Sequence, residues 1–269
     1  MNASPAAAAS LAPPAPSQAE IRQAMAGGQF VAYFQPVIDL SNGRISSLEA
    51  LARWRHPAHG LLPPASFLPA MREHGLLRPL SELMLAQALH ACRHWRDGGL
   101  PVRVSVNMPL QSLTRPNLNA WIVAQLRQAG LENGQLILEF SEFMLSQDWD
   151  LADRQLVWLR RASIGVAIDE FGIGLGVVSP LNRQRFSMIK IDPSIVFHAS
   201  LDPHRRRWLS AALMQGKRAG METVAIGIEE TADLELVRAL GCQAAQGFLF
   251  APPMAEAEVE LWINSRKTW

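Results

Sequence analysis

The chain has 269 residues, 49% of them hydrophobic and 18% charged, so it can bury a sizeable core and is not disordered as a whole. Lys+Arg 25 against Asp+Glu 24 leaves a formal net charge of +1, which supplies no global field for gripping a nucleic-acid polymer or an anionic membrane. Two cysteines, Cys92 and Cys242, cannot build a disulfide framework and point to a reduced, cytoplasmic compartment.

Residues 1–17 are rich in Ala and Pro, with neither a basic start nor an unbroken apolar run. A mobile tail is expected there rather than a signal peptide, with 18–269 forming one domain. No stretch of about eighteen uninterrupted apolar residues follows, so no membrane span is expected.

Beyond the tail, short β-branched apolar runs alternate with amphipathic segments. The first two runs, Phe30–Leu40 and Ile45–Trp54, are joined through Ser41-Asn42-Gly43, a hairpin signal that makes them antiparallel. A helix over Leu80–Trp95 then leads to the run Val102–Val106, and a helix over Leu118–Gln128 leads to Gln135–Phe140. Leu151–Arg160 precedes Ile164–Ile168, and Met188–Ile191 is followed by a helix over Arg206–Ala219. Thr223–Ile226, a helix over Leu234–Leu240 and Gln243–Phe248 complete the pattern. Eight strands with crossover helices in about 250 residues predict a TIM-like (β/α)8 barrel, an α/β fold, with an antiparallel first strand. An open doubly wound sheet is the alternative, but no GxGxxG turn follows the first strand. The glycines from Gly172 to Gly176 lack the Lys-Ser/Thr of a phosphate loop.

In such a barrel the reactive groups gather where parallel strands end. Glu49 lies late in the second run, Asn107 closes the third, and Glu139, followed by Glu142, closes the fourth. Asp169 and Glu170 end the fifth, Lys190 lies on the sixth, and Gln246 follows the eighth. Any one strand-end carboxylate is more often a helix cap than a ligand. Their convergence on nearly every strand is what caps alone do not explain. Three carboxylates and an amide oxygen form a hard donor set suited to Mg²⁺, Mn²⁺ or Ca²⁺. Lys190 is one of only three lysines, and an ammonium inside an apolar strand must be paired or functional. Carboxylates, a metal ion and one ammonium suit phosphate-ester chemistry.

The run Glu49-Ala50-Leu51-Ala52-Arg53-Trp54 resembles the signature of the EAL family of cyclic di-GMP phosphodiesterases. The similarity continues in order. Gln35-Pro36, His56-Pro57, Gly60, Pro64, Phe67, Asn107 and the Glu139/Glu142 pair each match a family motif. So do Phe171-Gly172, Lys190-Ile191-Asp192, Glu229, Gly241-Cys242, Gln246-Gly247, Phe250 and Pro253. The resemblance implies a barrel that binds cyclic di-GMP at its mouth. In active members, two Mg²⁺ or Mn²⁺ ions and a water open one phosphodiester to give linear pGpG, and Ca²⁺ acts as an inhibitory ion. By this likeness Glu49, Asn107, Glu139 and Asp169 hold the first ion, with Glu170 directed to the second. Lys190 assists the attacking water and Gln246 supports the metal–water shell. Arg53 contacts a phosphate. Gln35, Leu51 and Pro253 lie beside the nucleotide, while Glu142 and Glu229 anchor loops.

Three positions depart from the family pattern. The paired aspartates are Asp169-Glu170, the AEGVE motif reads Ala225-Ile226-Gly227-Ile228-Glu229, and the loop from Glu170 to Val177 lacks the family's hydroxyls. Ile226 cannot ligate a metal. The first ion's shell is whole and the second's is cut down, which implies a degenerate member: a cyclic di-GMP receptor or regulatory module with little or no phosphodiesterase activity. Two alternatives stay open. One is a working phosphodiesterase in which Glu170 or Glu229 reaches the second ion. The other is a nucleotide-independent protein-interaction module. A protein partner or a homodimer built through helices near the altered loop is compatible with each.

Overall fold

A computed structural model describes residues 15–147, 149–173 and 185–265. In chain order the strands are β1 (Phe30–Asp39), β2 (Ile45–His56), β3 (Gly60–Leu62), β4 (Arg103–Asn107) and β5 (Leu136–Ser141). They continue with β6 (Gly165–Phe171), β7 (Met188–Ile191), β8 (Glu222–Ile226), β9 (Ala244–Gln246) and β10 (Met254–Ala255). The helices are α1 (Gln18–Ala26), α2 (Leu68–Glu73), α3 (Leu77–Asp97), α4 (Leu118–Ala129), α5 (Glu142–Gln147) and α6 (Trp149–Arg161). After these come α7 (Pro193–Val196), α8 (Pro203–Arg218), α9 (Thr231–Ala239) and α10 (Glu256–Ser265).

Eight of the strands close into the expected barrel. From β2 through β4, β5, β6, β7, β8 and β9 every neighbouring pair is parallel. The circle closes through β1, which is antiparallel to both β2 and β9. The reversed strand follows from its turn. The Asp39 carboxylate accepts from the Ser41 amide, the Ser41 hydroxyl and the Asn42 side chain, and Gly43 takes the left-handed conformation (φ 68°). β3 and β10 are short antiparallel additions on β2 and β1.

The barrel wall has two apolar faces. Outside, Phe30, Trp54 and Phe67 stack with ring centroids 5.0–6.1 Å apart, and Phe34 meets Trp95 of α3 edge-on at 4.8 Å. Inside, Val37, Ile137, Ala167, Met188, Val224 and Ala244 form a separate buried plug. Side chains alternate along a strand, so the residue two positions toward the mouth from each plug residue also faces inward. Those residues are Gln35 on the reversed strand and Glu139, Asp169, Lys190, Ile226 and Gln246 on the parallel ones. A polar ring therefore lies directly above an apolar floor.

Most strand limits shift by a residue or two from the sequence expectation, and two of the differences shape the mouth. β6 runs to Phe171 rather than Ile168, because its pairing with β7 shifts register between Ile168 and Phe171, with Glu170 in the left-handed region (φ 55°). The last barrel strand ends at Gln246. A Cβ at Gly247 would fall 2.0 Å from the Ile228 carbonyl oxygen, so the backbones touch there, and Phe248 is left exposed.

Candidate functional site

The ring holds an ion-paired cluster centred on Lys190. Its ammonium donates to Glu49 Oε2 at 2.6 Å and to Glu139 Oε2 at 2.5 Å, and lies 3.9 Å from Asp169 Oδ1. Lys190 and Glu139 are each 1% exposed. Around them Asn107 Nδ2 donates to Glu49 Oε1 (2.8 Å) and Gln246 Nε2 donates to Glu49 Oε2 (2.9 Å). Gln246 Nε2 also reaches Gln35 Oε1 (3.2 Å), and Gln35 Nε2 donates to the Ala251 carbonyl (3.0 Å). The expected residues of β1, β2, β4, β5, β7 and β9 thus meet in one network.

Burial and like charge set the titration of this network. Desolvation, reinforced by the Glu49 charge, pushes Glu139 up to about 8 despite Lys190. Asp169 is raised to about 6, chiefly by burial. Glu49 is buried too, but Lys190 and the donors from Gln246 and Asn107 outweigh that and hold it below the usual carboxylate range. For Lys190, the three surrounding carboxylates overcome desolvation and raise its pKa.

The donor set suits a divalent cation: carboxylates from three strands, an amide from a fourth, and a buried Asp169 Oδ1 that accepts no hydrogen bond. Among the described residues, no three His, Cys, Asp or Glu side chains are already arranged as a metal cage. The Lys190 ammonium sits where the carboxylates converge.

From this cluster a cleft of about 670 Å³ opens toward α2, α3 and α5. Glu49, Asn107, Glu139, Asp169 and Glu170 form one end, and Leu51, Leu68, Leu80, Met84 and Met108 line the apolar remainder, with Arg72 and Ser81. Leu51 is therefore in the cleft wall. Gln35, Arg53, Gln246 and Pro253 are outside that wall. Gln246 and Gln35 lie in the ring beneath, and Arg53 lies on the β1 side, 5.8 Å from the centroid of Tyr33, the only tyrosine in the chain. Burial lowers the Arg53 pKa. Pro253 immediately precedes β10, which pairs with β1 at Tyr33 and Phe34.

The remaining candidates divide. Glu142 Oε2 accepts from the Gly172 amide at 2.9 Å and so ties α5 to the chain leaving β6. Glu170 lines the cleft, and its Oε2 accepts from Ser141 Oγ at 2.8 Å. Glu229 is exposed and has no hydrogen bond or ion pair among the described residues. Ile226 is half-buried, in register with Gln246 and on the inner face above Val224. The altered loop from Gly174 to Val177 lies outside the described residues. Sequence reasoning did not single out Tyr33 or the α2–α3 wall. The apolar wall residues carry no chemistry of their own and read as ordinary helix core.

Comparison with known proteins agrees with this geometry. The EAL domain model matches residues 18–253. The bifunctional diguanylate cyclase/cyclic di-GMP phosphodiesterase MucR of Pseudomonas aeruginosa is 34% identical over 239 residues, covering 87% of this chain and 34% of that protein. The structure of PaMucR phosphodiesterase in complex with c-di-GMP superposes with a TM-score of 0.84 at 33% identity, covering 90% of this chain and 98% of that one. A calcium/cyclic di-GMP complex of Klebsiella pneumoniae BlrP1 gives a TM-score of 0.75 at 26% identity, covering 86% and 57%. The chain spans somewhat more than a third of the length of the first curated relatives it matches. With its barrel, its strand-end carboxylates and a family match over most of its length, the chain belongs to the EAL domain family.

Proposed function

We propose that this domain binds cyclic di-GMP across the barrel mouth and acts as a receptor or regulatory module with little or no phosphodiesterase activity. Support for the ligand comes from family membership and from relatives whose structures contain it. The mouth offers matching chemistry: Leu51 in an apolar wall for a base, Arg53 for a phosphate, and Gln35 and Pro253 on the β1 side. Glu49, Asn107, Glu139 and Asp169 would hold one Mg²⁺ or Mn²⁺, with Ca²⁺ as a non-productive substitute. A bound ion supplies charge neutralisation at the phosphate and acidifies water.

The observation that carries the weak-hydrolysis reading is Ile226. It faces inward beside Gln246, at a strand end where a carboxylate would complete a second ion's shell, and a hydrocarbon offers neither a ligand nor a proton acceptor. Losing a group that orients the nucleophile costs about 3–4 kcal/mol of transition-state stabilisation, a hundred- to thousandfold in rate. Binding through Arg53 and Leu51 does not need that group. Calorimetric titration with cyclic di-GMP in Ca²⁺ tests the reading. One site per chain, weakened at least tenfold in Arg53→Ala, is expected. No binding would instead favour the nucleotide-independent interaction module.

One observation favours a second reading, a working phosphodiesterase. Glu170 lines the same cleft as Glu139 and Asp169, and among the described residues its carboxylate accepts a side-chain hydrogen bond from Ser141 alone, so its longer side chain is a candidate ligand for a second ion. Fast pGpG release by the unaltered protein would establish that reading.

A further inference from the structure

The cation already present in the mouth is the protein's own. Lys190 Nζ lies 2.5–2.6 Å from one oxygen each of Glu49 and Glu139, at the long end of the distances Ca²⁺ adopts to carboxylate oxygens. The side chain is 1% exposed, so it cannot withdraw into solvent. Among the described residues, two buried acceptors of the same ring are unsatisfied. Asp169 Oδ1 has no hydrogen bond, with the ammonium 3.9 Å away, and Gln246 Oε1 has none either, although its own amide nitrogen is bonded to Glu49. Unsatisfied buried acceptors are costly, and here one lies 3.9 Å from the ammonium while the other belongs to a side chain bonded to the same glutamate oxygen, which offers the donor a second place.

We propose that Lys190 is an internal counterion with two seats: it bridges Glu49 and Glu139 when no metal is bound, and a divalent ion entering the mouth on Glu49, Glu139 and Asp169 Oδ2 displaces it toward Asp169 Oδ1 and Gln246 Oε1. The ammonium keeps clustered carboxylates together without metal, and each entering ion must compete with it. Lys190 is then a positioning residue that sets ion affinity, in addition to any part it takes at the phosphate. The inference rests on the part of the functional reading that seats an ion on Glu49, Glu139 and Asp169. It is tested with metal alone, so a failure of cyclic di-GMP binding leaves it standing or falling by itself.

The experiment is titration of the full chain with CaCl₂ and with MnCl₂, without nucleotide, by calorimetry and thermal melting, for the natural protein and for Lys190→Met. The variant should melt lower without metal, bind the ion at least tenfold more tightly, and gain more in melting temperature from the ion. Equal or weaker affinity in a folded variant overturns the proposal. If Lys190→Met does not fold, Lys190→Gln keeps a neutral donor to the glutamates and carries the same expectation. A readout on the unaltered protein is available because the chain has three lysines. In spectra of ¹⁵N-labelled lysine side chains, saturating Ca²⁺ should move the Lys190 resonance and leave that of Lys217, on α8, in place. An unmoved Lys190 signal at saturation overturns the proposal. Absence of ion binding in every form overturns it together with the cation-binding reading.

Discussion

Replacing Ile226 with Glu adds the carboxylate that the proposed receptor reading finds wanting at the mouth, and its effects can be worked out in both directions. Position 226 closes β8 in register with Gln246, whose amide donates to Glu49, so the new group joins a ring already holding Glu49, Glu139 and Asp169. Without metal the added charge is unfavourable. At about 6 Å from one neighbouring carboxylate and an effective dielectric constant of about 20, repulsion is about 3 kcal/mol. Loss of the half-buried isoleucine adds about 1 kcal/mol. In a domain of this size that lowers the metal-free melting temperature by about 8–16 °C. With Mn²⁺ the sign reverses, because the ion is shared by one more ligand and the nucleophile gains an orienting group. Turnover should rise about a hundred- to thousandfold. The assay is the initial rate of pGpG release in Mn²⁺, paired with melting curves with and without the ion. A folded, ion-binding Ile226→Glu protein whose turnover equals that of the natural chain would refute the reasoning.

Other expectations concern stability. Glu139 and Asp169 titrate above their ordinary ranges, at about 8 and about 6, so their neutral forms are favoured in the folded state. Ionising them costs stability. The metal-free protein in EDTA should therefore show a urea midpoint that falls as pH rises from about 5 through 8, and a flat or rising midpoint contradicts this. Glu49 is depressed and Lys190 raised, so neither changes sign in that window. Glu142→Ala strands the buried tie to the Gly172 amide, so we expect a loss of about 1–3 kcal/mol by urea unfolding, with Glu142→Gln recovering much of it. Gly247→Ala would force a methyl into the Ile228 backbone and should cost more than about 3 kcal/mol; an unchanged melting temperature would show that this close approach is absent.

The barrel was legible because its local signals agree. The Asn-Gly turn dictates the reversed first strand, and the β-branched runs fall where the parallel strands lie. Asn107, Glu139 and Asp169 could be nominated from strand ends, and Glu49 and Lys190 as charged residues within otherwise largely apolar strands. The exact limits of β6 and β9 were not legible. They depend on a left-handed Glu170 and on backbone contact at Gly247, and neither is a property of composition or period. The Lys190 bridge was half legible: a lone buried lysine demands a partner, but which carboxylates receive it depends on barrel closure. The cleft wall from Leu68 to Met84 was hidden, because an apolar residue facing a ligand cleft and one facing a core follow the same helical spacing.

The central claim is an intact first-ion site beside a missing second one, and a chase experiment addresses it most directly. The full chain is saturated with cyclic di-GMP in Ca²⁺, excess Mn²⁺ is added, and the nucleotide is followed over time. The account predicts that ligand stays bound and is recovered as cyclic di-GMP, with pGpG accumulating only in the Ile226→Glu variant. Rapid, complete conversion to pGpG by the natural chain would contradict it.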